Sequence, residues 1–308
     1  MTFTVHPIIA FLLLPGGLFL LVGSLFYEWA DRKLVAQFQN RVGPRWFQPE
    51  ADMFKLLAKE EIVPDGVNRL LFHGLPIVAL VGALTAALYV PMLGLAPSYS
   101  FRGDLIVTLY LLSLMTLSMG LAGANTIDRF SLLGATRALT QMFSYEAPFL
   151  LALLGAAIAA GSWQIGEINQ YTATHSWLLF TQPIGFIVAI VGLMGKLELA
   201  PFDAPEAETE IVGGAMTEYS GRGWALFRLG RDVELMVGLT LVAAFYLGGL
   251  NHPLAFVLKT FGLLFVTAAL QSLFARLRID QVVGLWWRVG MMLALAQLLL
   301  LAVLARLA

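Results

Sequence analysis

The sequence predicts an all-α polytopic membrane protein with eight transmembrane helices and two long amphipathic, charged loops on the cytoplasmic side. Three observations carry that reading. Of 308 residues, 59% are hydrophobic and only 13% are charged, with a mean hydropathy of +0.79. A soluble domain carries roughly a quarter charged residues, so this chain cannot clothe a globular surface of its own. Apolar stretches about 20 residues long recur along it, each able to cross ~30 Å of hydrocarbon as a helix.

The spans are expected at about 6–27, 71–95, 104–126, 141–161, 177–197, 231–250, 254–275 and 282–305. Polar loops remain at 28–70 and 198–230, and the other connections are short. The whole chain, 1–308, reads as one integral membrane domain. The N-terminal MTFTVHP has no Lys or Arg ahead of the first apolar stretch, and no small-residue cleavage site follows, so that stretch is expected to stay as a span.

Orientation follows from the cations. If loop 28–70 is cytoplasmic, sixteen of the nineteen Lys and Arg residues share that side, leaving Arg102, Lys259 and Arg306 on the other. Both termini are then outside. Eighteen of the twenty acids fall on or near the same half, leaving Asp104 and Glu167. The positive-inside rule asks nothing of acids, so dense mixed charge on one face points to a docking surface or an ion path.

Composition excludes several functions. There is no cysteine, hence no thiolate-bound iron–sulfur cluster or zinc and no disulfide in this chain. His6, His73, His175 and His252 share no helical spacing and avoid mid-span, which argues against a haem-bearing subunit. The net charge of -1, without a basic tail, offers nothing to nucleic acid.

The first loop, EWADRKLVAQFQNRVGPRWFQPEADMFKLLAKEEIVPDG, is amphipathic. Leu34, Val35 and Phe38 repeat at helical spacing, as do Met53, Phe54 and Leu57, and Gly43-Pro44 and Pro49 divide it into short helices. Such helices lie on a membrane surface, or serve as a platform on which Arg32, Lys33, Arg41 and Arg45 meet acidic groups of a peripheral protein.

The second loop, GKLELAPFDAPEAETEIVGGAMTEYSGRGWALFRLGRD, holds Glu198, Asp203, Glu206, Glu208, Glu210 and Glu218. A helix starting at Asp203 would put Pro205 in its first turn and Glu206 at the capping-box position. Asp203, Glu206 and Glu210 would then share a face. Acids at a helix start are favoured by its dipole, yet crowded carboxylates beside a bilayer also repel and raise one another's pKa. Glu146, in SYEAPF, is the ionisable residue to watch at the edge of a span, since such groups are costly there. Glu234 is placed to pair with Arg231 at helical spacing, Lys259 to snorkel outward, and Trp286, Trp287 and Arg288 to anchor an interface.

The strings DRKLVAQFQNRVGPR, LGATRALTQMFSYEAP and APFDAPEAETEIVGGAMTEYSG resemble the H-type membrane component at the foot of the peripheral arm of respiratory complex I. The same type of subunit occurs in energy-converting membrane-bound [NiFe]-hydrogenases. The similarity runs nearly the length of the chain, in motif order.

The resemblance implies a non-catalytic subunit of a redox-driven proton or sodium pump in a prokaryotic cytoplasmic membrane. Asp203, Glu206, Glu208, Glu210 and Glu218 would link a docked redox module to a charged path that Glu146 continues into the bilayer. Asp31, Arg32, Lys33, Arg41 and Arg45 would form the docking loop. Iron–sulfur clusters and a [NiFe] centre would sit in a small iron–sulfur subunit and a hydrogenase-like large subunit, with antiporter-like and small membrane subunits alongside and quinone possible at the interface.

Asp31 stands where quinone-reducing members usually have Glu, and Lys196-Leu197-Glu198-Leu199 replaces their Glu-Thr-Asn-Arg run. These departures favour the hydrogenase type with ferredoxin as donor over a quinone-reducing complex I subunit. A solo secondary transporter would show internal repeats, and none is visible between the halves. A passive anchor would use its carboxylates only for the peripheral interface.

Overall fold

The computed structural model describes residues 17–175 and 177–307, without the side chains of Glu208 and residues 304–307. His6 and the start of the first expected span lie outside the described residues. Among these, the chain is all-helical and has no strand, only an isolated bridge between Met92 and Leu95. The helices are α1 (Gly17–Phe38), α2 (Gln48–Ala58), α3 (Arg69–Ala87), α4 (Asp104–Ala124), α5 (Arg129–Ala160), α6 (Ile165–Thr174), α7 (Leu178–Thr181), α8 (Pro183–Lys196), α9 (Glu208–Ile211), α10 (Gly221–Tyr246), α11 (Pro253–Leu273), α12 (Ile279–Leu285) and α13 (Met291–Leu307).

Among the described residues, five helices are long and apolar enough to cross a membrane: α3, α4, α5, α11, and the run Ile279–Val303 that joins α12 to α13 through a π turn at Trp286–Gly290. The expected span at 177–197 is instead split into α7 and the 14-residue α8. Pro183 causes the break, because it has no N–H to continue α7 but suits the first turn of a new helix. The span expected to reach residue 95 stops at Ala87; the left-handed Leu93 and Gly94 turn the chain instead.

Charge does not mark where the helices end. α1 runs through Glu28, Asp31, Arg32 and Lys33 to Phe38. The expected connection at 127–140 is helical from Arg129, because the Asp128 carboxylate caps that end, accepting from Ser131 N at 2.9 Å. α10 begins at Gly221, inside the expected loop 198–230.

α10 is the axis of the bundle. Every residue from Asp232 to Tyr246 is buried, and α1, α2, α3, α4, α5, α6, α8 and α11 all pack around it. The outer helices leave Ile77, Val81, Tyr110, Phe143, Phe265 and Leu299 exposed, an apolar coat suited to lipid. Short segments tie the charged ends together on one face. Ile62 N donates to Ser220 Oγ, Asn125 Nδ2 donates to Asn68 O, and Leu277 N donates to Pro201 O.

Candidate functional site: a buried charged path beneath two loops

The second loop leaves α8 at Lys196 and is pinned at once. Gln141 of α5 donates to Gly195 O (3.0 Å) and Phe202 O (2.7 Å). Farther on, Gly134 of α5 lies directly against Gly214 and Ala215, where any side chain would collide with the loop backbone. Gly214 itself has φ +54 and sits against Pro205 O, which glycine alone tolerates easily.

The helix expected from Asp203 begins only at Glu208. Residues 203–207 form one turn, closed by Ala207 N donating to Asp203 O at 3.1 Å. The Asp203 carboxylate is not free to cap a helix, because it accepts from Arg276 Nε at 3.0 Å. Glu206 does not complete a capping box, because it accepts from Arg231 Nη1.

Arginines from three parts of the chain separate the loop's acids. Arg137 of α5 donates to Glu210 Oε2 at 2.8 Å, and Arg276 stands 3.7 Å from the other oxygen. Arg231 of α10 holds Glu206 and, at 3.1 Å, Glu198. The expected mutual repulsion of crowded acids is therefore offset. The hydrogen bond and charge of Arg137 hold the Glu210 carboxyl below its usual range. Glu198 behaves differently: burial pushes its pKa up to about 7 despite Arg231. Glu218 is half-buried, and the side chain of Glu208 is outside the described residues.

A second charged group lies deeper. Lys196, 2% exposed, donates from Nζ to Ser113 Oγ of α4 at 2.9 Å and stands 3.8 Å from Glu234 of α10, itself 1% exposed. Ser113 Oγ in turn donates to Glu146 of α5, with Leu109 O an alternative acceptor at 3.0 Å. Ammonium, hydroxyl and carboxyl thus lie in hydrogen-bond sequence between three helices. Tyr145 closes one side, its ring centroid 5.8 Å from the Lys196 amine.

Sequence reasoning singles out Glu146, and Glu198 among the second loop's acids, but misses Lys196 and Ser113 as members of this arrangement. It assigns Glu234 to Arg231, whereas Arg231 turns to the second loop and Lys196 faces Glu234. The available signal was an acid pair, Asp232 and Glu234, inside an expected span. The Lys259 amine donates to Gly248 O (3.0 Å) and Gly249 O (2.6 Å), capping carbonyls just past α10. Of the two tryptophans in the expected aromatic anchor only Trp287 is exposed; Trp286 is buried, 5.5 Å from the Phe202 ring.

The first loop does not present its five candidates as one patch. Asp31, 9% exposed, faces inward and accepts from Gln271 Nε2 at 3.1 Å; burial raises its pKa to about 6. Lys33 donates to Val42 O and steadies the turn at Gly43 (φ +71). Arg32 lies 3.5 Å from Glu28 and 3.7 Å from Asp52. Arg41 and Arg45 are exposed. On α2, Met53 and Leu56 pack against Leu25 and Ala225, while Phe54 and Leu57, expected on one apolar face with Met53, point away from the bundle.

A cavity of about 410 Å³ opens between the loops, and Glu28, Arg32, Glu206, Arg228, Arg231 and Asp232 line it. It joins the first loop's Asp31–Arg32 pair to the Arg231–Glu198 branch above Lys196.

Residues 10–302 match the family described as NADH dehydrogenase. The chain belongs to that family. Within the family it is similar to the H subunit of NADH-quinone oxidoreductase from Carboxydothermus hydrogenoformans, 33% identical over 296 residues, covering 91% of this chain and 84% of that one. The corresponding protein of Bacillus cytotoxicus is also 33% identical, over 307 residues, covering 94% and 92%. A chain in the structure of the membrane-bound sulfane sulfur reductase (MBS), an archaeal respiratory membrane complex, shares the fold with a TM-score of 0.84. It is 22% identical, over 92% of this chain and 95% of that one. The family's membrane subunit of a complex I-like oxidoreductase is thus the setting in which the charged path has to be read.

Proposed function

We propose that this chain is the membrane-anchoring, ion-translocating subunit of a redox-driven pump, coupling electron transfer in a docked module to proton or sodium movement. The observation that carries the reading is a pair of adjoining charged groups: half-buried Glu206 and buried Glu198 on Arg231, and, beneath them, Lys196 and Glu234, both buried, with Ser113 and half-buried Glu146. Electron arrival in the docked module changes charge or protonation at Glu206, Glu208, Glu210 and Glu218. That change biases Glu146 through space by way of the buried Glu198 and Glu234, where charges are weakly screened. The chain itself holds no redox centre; iron–sulfur clusters belong to the partners, and antiporter-like and small membrane subunits carry the response onward.

Eight spans in one membrane domain, the two loops on the cytoplasmic side and both termini outside are part of this reading, supported by the cation asymmetry. The departures at Asp31 and Lys196–Leu199 favour a ferredoxin-linked, [NiFe]-hydrogenase-type module. A quinone-reducing assembly is the second reading, favoured by the cavity between the loops and by relatives named as parts of NADH-quinone oxidoreductase. The co-purifying large subunit decides between them: four cysteines arranged to hold nickel and iron mean the hydrogenase type, and their absence means a quinone or sulfur-compound reductase. Glu218→Gln tests coupling itself. It should lower ion transport per turnover in an assembled complex; lost partner binding with unchanged coupling would instead mean a passive anchor.

A further inference from the structure

Glu28 of α1 and Asp232 of α10 meet on the wall of the inter-loop cavity. Arg228, one turn before Asp232, donates from Nη2 to Glu28 Oε1 at 2.5 Å. The second oxygen of Glu28 and Oδ2 of Asp232 are both buried, and neither accepts from any N–H or O–H group among the described residues. Asp232 is only 6% exposed, and its carboxyl lies within hydrogen-bonding reach of Glu28.

Ionised carboxylates only accept, so two of them in contact cannot satisfy each other; one bridging proton supplies the missing donor. Charge balance along the wall points the same way. Glu28, Asp31, Glu206 and Asp232 face Arg32, Arg228 and Arg231, four acids against three guanidinium groups. Asp52 and Glu198 draw on those same arginines, Asp52 at 3.7 Å from both Arg32 and Arg228, Glu198 at 3.1 Å from Arg231. Apolar groups complete the lining: Met119 from α4, Leu197 and Leu199 beside the second loop, and Trp224, Phe227 and Leu235 from α10. Among the described residues of this wall, no unused cation is left for the fourth acid.

We propose that Glu28 and Asp232 share a single proton and act as a proton-holding dyad at the cavity. Negative charge arriving in the cavity draws a second proton onto the pair, and its departure releases that proton toward Arg231 and Glu198. Only this use of the dyad rests on the coupling role proposed above; the shared proton itself does not.

Infrared difference spectroscopy on the assembled complex in membranes tests it, comparing wild type with Glu28→Gln and with Asp232→Asn in H₂O and D₂O. The expected result is one protonated-carboxyl carbonyl band, sensitive to deuteration, that is lost equally in both variants. Each loses it because the remaining acid ionises beside Arg228. Loss in one variant alone would mean a solitary buried acid and would overturn the sharing, as would a band unchanged in both. Heavy-atom shape is nearly kept in both variants, and assembly is checked by co-purification of the peripheral module. A band lost as expected with normal ion transport per electron would keep the dyad and sink the coupling role. Reduced transport with the band intact would do the reverse.

Discussion

The two loops carry similar densities of charge but use them in opposite ways. In the second, Asp203, Glu206, Glu210 and Glu198 are met by Arg276, Arg231 and Arg137 from the chain itself. In the first, Arg41 and Arg45 stand exposed, and Arg32 is only partly engaged. Internal pairing makes the second loop part of the bundle, with Arg231 bridging its Glu206 and Glu198. The first loop instead leaves Arg41 and Arg45 open at its surface. Equal charge in a sequence therefore says little about role until burial and pairing are known.

Breaking the inner end of the second loop's path should have the largest effect. Lys196→Met leaves Glu234 buried without its cation, which should cost about 3–5 kcal/mol. Melting of the detergent-solubilised complex measures it, and an unchanged midpoint would mean Glu234 is neutral without Lys196.

Next comes pH. Glu198 is raised from 4.5 to about 7, so the folded state binds the extra proton and its contribution is full below the lower value. Stability should fall as pH rises through that window, by roughly 3 kcal/mol across it. Glu198→Gln should flatten the profile between pH ~5 and ~8; a profile as steep as wild type would show that another group is responsible.

Arg231→Met removes hydrogen bonds to both Glu198 and Glu206, a loss of about 2–3 kcal/mol by the same melting assay. The first loop should answer differently. Replacing Arg41 and Arg45 with Ala should leave stability within about 0.5 kcal/mol. It should weaken association with the peripheral module at low salt, and the deficit should shrink as salt screens both proteins. A stability loss matching that of Arg231→Met would erase the distinction between the loops.

How much of this was legible in the sequence follows from which forces acted locally. The apolar runs gave α3, α4, α5, α11 and the last helix because lipid-facing and core residues are both hydrophobic, so hydropathy alone finds them. α10 begins at Gly221, well before its expected start at 231. Its charged first turns, with Arg222, Arg228 and Arg231, look like loop until Glu28, Glu198 and Glu206 are seen to neutralise the last two. The acids of the second loop were visible as residues, but their pairing was not. Glu210 meets Arg137 across 73 positions and Asp203 meets Arg276 across 73 more, separations that no helical periodicity encodes. Lys196 reads in the sequence as a departure from a motif, and its meaning appears only when Ser113, 83 residues away, is found beside it.

The central claim is that the acid beneath the second loop responds to electron flow. Its most direct test is the ratio of ions moved to electrons transferred by the assembled complex in sealed vesicles, comparing wild type with Glu146→Gln. Glutamine still accepts from Ser113 but cannot bind or release a proton, so the ratio should fall while partners remain bound and electron transfer continues. A wild-type ratio in that variant would contradict the account.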